Sequence, residues 1–145
     1  MQSRIESDLK TALKSGDKRR VSTLRLLLSA LKNERIQAQR ELTDEEVEAA
    51  TRRAVKQRRE AIEQYQRGGR QDLVNAETEE LAILQSYLPQ ELSEAEVEQA
   101  IRAVIEQKAL SSSKDVGLVM KELMARYRGR IDGKRAQEIA RRLLP

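Results

Sequence analysis

All-α is the fold class that this sequence predicts, and three observations carry the prediction. Apolar residues recur at three- and four-residue intervals along almost the whole chain. β-branched residues never alternate with polar ones over the length of a strand. Glycine, proline and short polar residues fall between the periodic segments, where helices start and stop. The expected architecture is an N-terminal four-helix antiparallel bundle-like domain over residues 1–92, followed by a small three-helix domain over residues 93–145.

The first helix places Ile5, Leu9, Ala12 and Leu13 on one stripe and stops near Ser15-Gly16. Asp17 then caps a long second helix whose apolar face runs through Val21, Leu24, Leu27, Leu28 and Leu31 toward Ile36. A Thr-x-x-Glu spacing at Thr43 and Glu46 lets two side chains satisfy each other's free backbone amides, so a third helix starts there. Its buried side carries Val47, Ala50, Ala54, Ile62 and Tyr65, and Gly68-Gly69 ends it. A fourth helix begins around Asp72, carries Leu73, Leu81, Leu84 and Leu88, and has to stop before Pro89. Ser93 and Glu96 repeat the capping spacing and open a fifth helix on Val97, Ile101, Val104 and Ile105. The run Ser111 to Ser113 caps a sixth, built on Val116, Val119, Met120, Leu123 and Met124. After a turn from Arg128 to Gly133, a seventh helix carries Ala136, Ile139, Ala140 and Leu143.

Composition excludes several kinds of chemistry. The 145 residues include no Cys and no His. Thiolate nucleophiles, imidazole bases, disulfides and Cys/His zinc sites are therefore out of reach. No cofactor and no metal are expected. The acidic groups Asp44 to Glu48 and Glu77 to Glu80 would need unequal environments for acid and base catalysis, and they are read instead as charges gathered at helix starts, where the helix dipole favours them. The most apolar segment, Leu26 to Leu31, is far too short for a membrane span. The first ten residues carry both charge signs and lack the apolar core of a secretory leader, so the expected location is the cytoplasm.

The net charge is only +4, so a nucleic-acid signal has to come from local clustering. Two clusters stand out. Between Arg52 and Arg70 seven Lys or Arg face Glu60 and Glu63, and Arg52, Lys56 and Arg59 recur at i, i+4 and i+7 of the third helix. Such a stripe can follow a phosphate backbone, but the favoured reading is that it solvates the outer face of an amphipathic helix. From Lys121 to the C-terminus eight Lys or Arg face Glu122, Asp132 and Glu138. Arg126, Arg128, Arg130, Lys134 and Arg135 bracket a turn that carries Gly129, Asp132 and Gly133 and leads into a helix start, a setting that suits a phosphate. The structural alternative is that Asp132 caps the last helix while Gly129 closes the sixth. The three tyrosines, Tyr65, Tyr87 and Tyr127, are too few for a base-stacking platform. Tyr65 and Tyr87 are expected to pack between helices, and Tyr127 lies among arginines within reach of a bound nucleotide.

Several ordered segments carry a resemblance to the YqeY family. They are Thr23-Leu24-Arg25-Leu26-Leu27 with Lys32 and Glu34, then Lys56-Gln57-Arg58-Arg59-Glu60-Ala61, and Glu80-Leu81 through Tyr87-Leu88-Pro89. The last is Asp115-Val116-Gly117 with Met120, Met124, Gly129, Asp132 and Gly133. The sequence departs from the family pattern at Ala125, Tyr127 and Ile131. The resemblance implies an all-α protein of two helical domains. It also links the C-terminal half to the tail domain of the B subunit of glutamine-dependent tRNA amidotransferase, which helps hold the tRNA while a separate catalytic body forms the amide. The family's label is accordingly carbon-nitrogen ligase activity with glutamine as amido donor. This chain shows no counterpart of the catalytic body, the glutaminase nucleophile or an ATP cradle, so the property expected to carry over is RNA engagement.

The leading expectation is thus a non-catalytic tRNA-binding module, acting beside an amidotransferase or an aminoacyl-tRNA synthetase. Arg126, Arg128, Arg130, Lys134 and Arg135 contact phosphates in this reading, and Arg52, Lys56 and Arg59 extend the footprint. The alternative is a protein-interaction adaptor for such an enzyme without RNA contact. A third reading, an amidotransferase in its own right, requires glutamine-dependent amide formation by the isolated chain.

Overall fold

Seven α-helices and one short 3-10 turn make up the computed structural model, which describes residues 1–145. The helices are α1 (Gln2–Ser15), α2 (Lys18–Ala38), α3 (Asp44–Arg67), α4 (Gln71–Gln85), α5 (Glu94–Gln107), α6 (Val116–Arg126) and α7 (Gly133–Leu143). No strand is present, and the all-α expectation holds.

Local chemistry sets the helix ends. Gly16 takes a left-handed conformation at φ 75°, closing α1, and the Asp17 side chain accepts the Arg20 amide to open α2. At α3 both halves of the capping box form, since Thr43 accepts the Glu46 amide and the Glu46 carboxylate accepts the Thr43 amide. At α5 only one half forms. Ser93 accepts the Glu96 amide, while its hydroxyl, and not its backbone amide, is what the Glu96 carboxylate meets. Ser112 accepts the Lys114 amide and starts the 3-10 turn Ser113–Asp115 that feeds α6.

The chain divides into two compact units, Met1–Leu88 and Pro89–Pro145. This division falls slightly before residue 92 for a physical reason. The Leu92 amide donates to the Arg130 carbonyl at 2.8 Å, and the Leu92 side chain packs on the core of the second unit.

In the first unit α2 is the central helix, packed against α1, α3 and α4, and α3 and α4 pair as a hairpin. Its core joins Ile5, Leu24, Leu27, Leu31, Val47, Ala50, Val55, Ile83, Leu84 and Tyr87. Complete burial of a leucine such as Leu24 or Leu84 stabilises by roughly 1.5–3 kcal/mol. Two threonines, Thr23 and Thr51, are also buried. Each hydroxyl donates to the carbonyl four residues earlier, Arg19 at 2.9 Å and Val47 at 2.8 Å, so neither carries an unmet polar group.

In the second unit α5, α6 and α7 pack pairwise around Ile101, Val104, Val119, Leu123, Ile139 and Ala140. Ile131, in the turn before α7, is buried in this core. Three expected core residues face outward instead. Leu13, Ile36 and Met124 are 49%, 60% and 39% exposed, because the helical register carries each of them past the edge of its buried stripe.

Candidate nucleic-acid interface

The segment between α6 and α7 is pinned from both sides. The Arg130 Nε donates to the Gln90 carbonyl at 3.0 Å, and the Arg130 carbonyl accepts the Leu92 amide. These reciprocal bonds hold the turn against residues 90–92. Gly129, at φ 76°, supplies the left-handed residue inside the turn, after the Tyr127 amide has already closed α6 on the Leu123 carbonyl. Asp132 caps α7 by accepting the Lys134 amide at 3.1 Å. That amide is therefore occupied by the protein's own carboxylate. Gly133 is the first residue of α7.

The five cations expected here divide into two kinds. Arg126 donates to the Gln107 side chain at 2.8 Å and lies 3.7 Å from Glu122. Arg135 pairs with Glu94 and with Glu138, and both carboxylates raise its pKa above the usual arginine value. With Arg130 these side chains act as staples within the unit. Arg128 and Lys134 are exposed, and their side chains carry no ion pair or hydrogen bond. Tyr127 is half-buried and packs against the core of this unit.

The third-helix stripe is more heavily committed to the fold. Arg52 lies 3.5 Å from Glu48, and Arg53 pairs with Glu34 on α2. Arg58 sits half-buried between Glu77 and Glu80 of α4, at 3.5 and 3.3 Å. Burial pushes the Glu77 carboxyl upward, against the pull of the Arg58 charge. Lys56 is exposed and unpaired, whereas Arg59 is half-buried and engaged within the chain. The spacing of Arg52, Lys56 and Arg59 thus makes one open cation and not a continuous track.

Sequence reasoning passed over a third basic region. Residues 9–33 hold seven Lys or Arg and one acid, Asp17. Lys10, Lys14, Lys18, Arg25 and Lys32 are all exposed and without a side-chain partner in the chain. The signal was present as the absence of acids, a weaker mark to the eye than a run of arginines. No three carboxylates lie close enough together to hold a metal ion, and no helix is long and apolar enough to cross a membrane.

Comparison with known proteins places this fold among relatives. A family model described as Yqey-like protein matches residues 2–144. The mitochondrial protein named Altered inheritance of mitochondria protein 41 of Lachancea thermotolerans is 36% identical over 97 residues, which are 65% of this chain and 52% of that protein. Its namesake in Pyrenophora tritici-repentis is 28% identical over 130 residues, 88% of this chain and 71% of that protein. In Vanderwaltozyma polyspora the figures are 31% over 120 residues, 77% and 64%. The chain therefore spans about half the length of the first of these curated relatives.

All three relatives are named as mitochondrial, which overturns the cytoplasmic location expected from the sequence. The reason is physical. Mixed charge and the lack of an apolar segment argue against a secretory leader and a bilayer span, but neither property distinguishes the cytoplasm from the inside of an organelle. The family assignment does not share that weakness, since the match runs through both compact units from residue 2 to residue 144, and the chain belongs to the YqeY family.

Proposed function

We propose that this chain is a non-catalytic tRNA-binding module that works beside a glutamine-dependent tRNA amidotransferase. The observation that carries the reading is the division of labour in the turn before α7. Arg126, Arg130 and Arg135 are tied to groups of the second unit, while Arg128 projects from the pinned segment and Lys134 from the first turn of α7 that follows it, with nothing in the chain to neutralise them. A turn held rigid on its own side chains presents its free cations without a large ordering cost, which favours capture of phosphates. The resemblance of the C-terminal half to the amidotransferase tail supports RNA as the polyanion. In this reading carbon-nitrogen ligation, the reaction class attached to the family, belongs to the partner's catalytic body.

Two measurements on the intact chain test the proposal. Bulk tRNA is expected to shift in a native gel and to be released by Arg128→Ala with Lys134→Ala, whereas Lys56→Ala should weaken binding less. Retention of full binding by the double variant would falsify the assigned site. The purified chain, supplied with misacylated tRNA and glutamine, should form no amide. Amide formation would make it an enzyme and contradict the proposal.

A further inference from the structure

The α1–α2 hairpin encloses an open groove of about 520 Å³ that the RNA reading does not use. Its apolar lining is Ala12, Leu13, Val21 and Leu26, and Lys18 and Arg25 stand among them. Leu13 and Leu26 are 49% and 56% exposed, the largest apolar side chains that the hairpin leaves in water around the groove. Lys10 lies three residues before Leu13, and so on the same side of α1.

Charge identifies the occupant. Lys10, Lys18 and Arg25 have no side-chain partner in the chain. Asp17, the one acid between residues 9 and 33, is already used, capping α2 and lying 3.5 Å from Arg20. An apolar groove rimmed by unneutralised cations is complementary to an amphipathic helix with aliphatic residues on one face and carboxylates beside them. RNA fits this face poorly, since phosphates give no cover to exposed leucines and the groove has no aromatic side chain on which a base stacks. A bilayer surface fits poorly too. The solvent side of α2 places Ser22, Ser29 and Asn33 around Leu26, which breaks the continuous apolar face that interfacial insertion needs.

We propose that the α1–α2 groove docks an acidic amphipathic helix of a partner protein through Leu13 and Leu26, with Lys10, Lys18 and Arg25 pairing to its carboxylates. The site lies in the first unit and is independent of the turn before α7, so either proposal can fail alone.

The probe is a synthetic helical peptide with leucines at i, i+3, i+4 and i+7 and glutamates between them, titrated against the full chain by fluorescence anisotropy. A second peptide carries lysines in place of the glutamates. The glutamate peptide is expected to bind at least about tenfold more tightly than the lysine peptide. Leu13→Glu with Leu26→Glu should abolish binding without lowering the melting temperature, since both leucines are already half in water. Lys18→Glu with Arg25→Glu should reverse the preference between the peptides.

No binding of the glutamate peptide up to about a millimolar, equal binding of both peptides, or indifference to the leucine substitutions would each overturn the proposal. The same holds if phosphatidylcholine vesicles containing phosphatidylglycerol, or bulk tRNA, bind the chain in a manner that depends on Leu13 and Leu26. That result would assign the face to a lipid surface or to RNA.

Discussion

At the scale of single residues, Tyr87 shows how a side chain of ordinary appearance becomes a long-range tie. Its ring is buried in the core of the first unit, and its hydroxyl donates to Asp8, 79 residues away. The Arg4 guanidinium lies 4.6 Å from the ring centre and donates to the Ser86 carbonyl at 2.9 Å. Burial, and next the bond to Asp8, push the phenol up to about 12. Because the folded value is raised, this stabilisation is complete below the ordinary tyrosine range near 10 and is lost as pH rises through about 12. Tyr87→Phe is expected to cost about 1–2 kcal/mol at neutral pH. It should also remove the part of the alkaline loss that belongs to this phenol, as read by urea unfolding at several pH values. An unchanged alkaline profile in the variant would contradict the assignment. The sequence shows Tyr87 on a helical apolar stripe, which is why its burial was legible. Nothing in the spacing points to Asp8, since that partner is fixed only when α1 packs beside the end of α4.

At the scale of elements, helix starts were the most readable feature, because a cap is decided within three or four residues. Thr43 and Glu46 illustrate this, and Thr43→Ala is expected to cost about 1 kcal/mol in thermal or urea unfolding. The Glu46 carboxyl is held down to about 2, first by the hydrogen bond from Arg40 and then by the Thr43 amide. A depressed folded value gives stability that is present above the ordinary glutamate range and is lost as pH falls through about 2. Glu46→Gln should therefore flatten the acid limb of the stability profile, and an acid limb identical to that of the parent chain would exclude Glu46 as a contributor. Helix faces were less legible than helix ends. Ile36 continues the apolar run of α2 in sequence yet lies 60% exposed, since five residues beyond the buried Leu31 the helix has turned it about 140° away from the packed face. The buried threonines went unread for a different reason. Their hydroxyls are satisfied by their own helix, which the polarity of the residue type conceals.

At the scale of the whole molecule, the fold was readable and the pairing of charges was not. The basic clusters were visible as runs, but whether a cation is free depends on acids brought in from elsewhere in the chain. Arg135 meets Glu94 across 41 positions, and Arg53 meets Glu34 across 19. Arg128, Lys134 and Lys56 remain open, together with the α1–α2 cations that no dense run advertised. Compartment was not legible at all, since a folded helical surface carries no address. If Arg128 and Lys134 grip the RNA backbone as proposed, counterion release on binding is directly measurable. The logarithm of the affinity of the intact chain for bulk tRNA should fall linearly with the logarithm of salt concentration. Arg128→Ala with Lys134→Ala should lower that slope by about two, one for each lost phosphate contact. Parallel salt lines for the parent chain and the double variant would contradict the account.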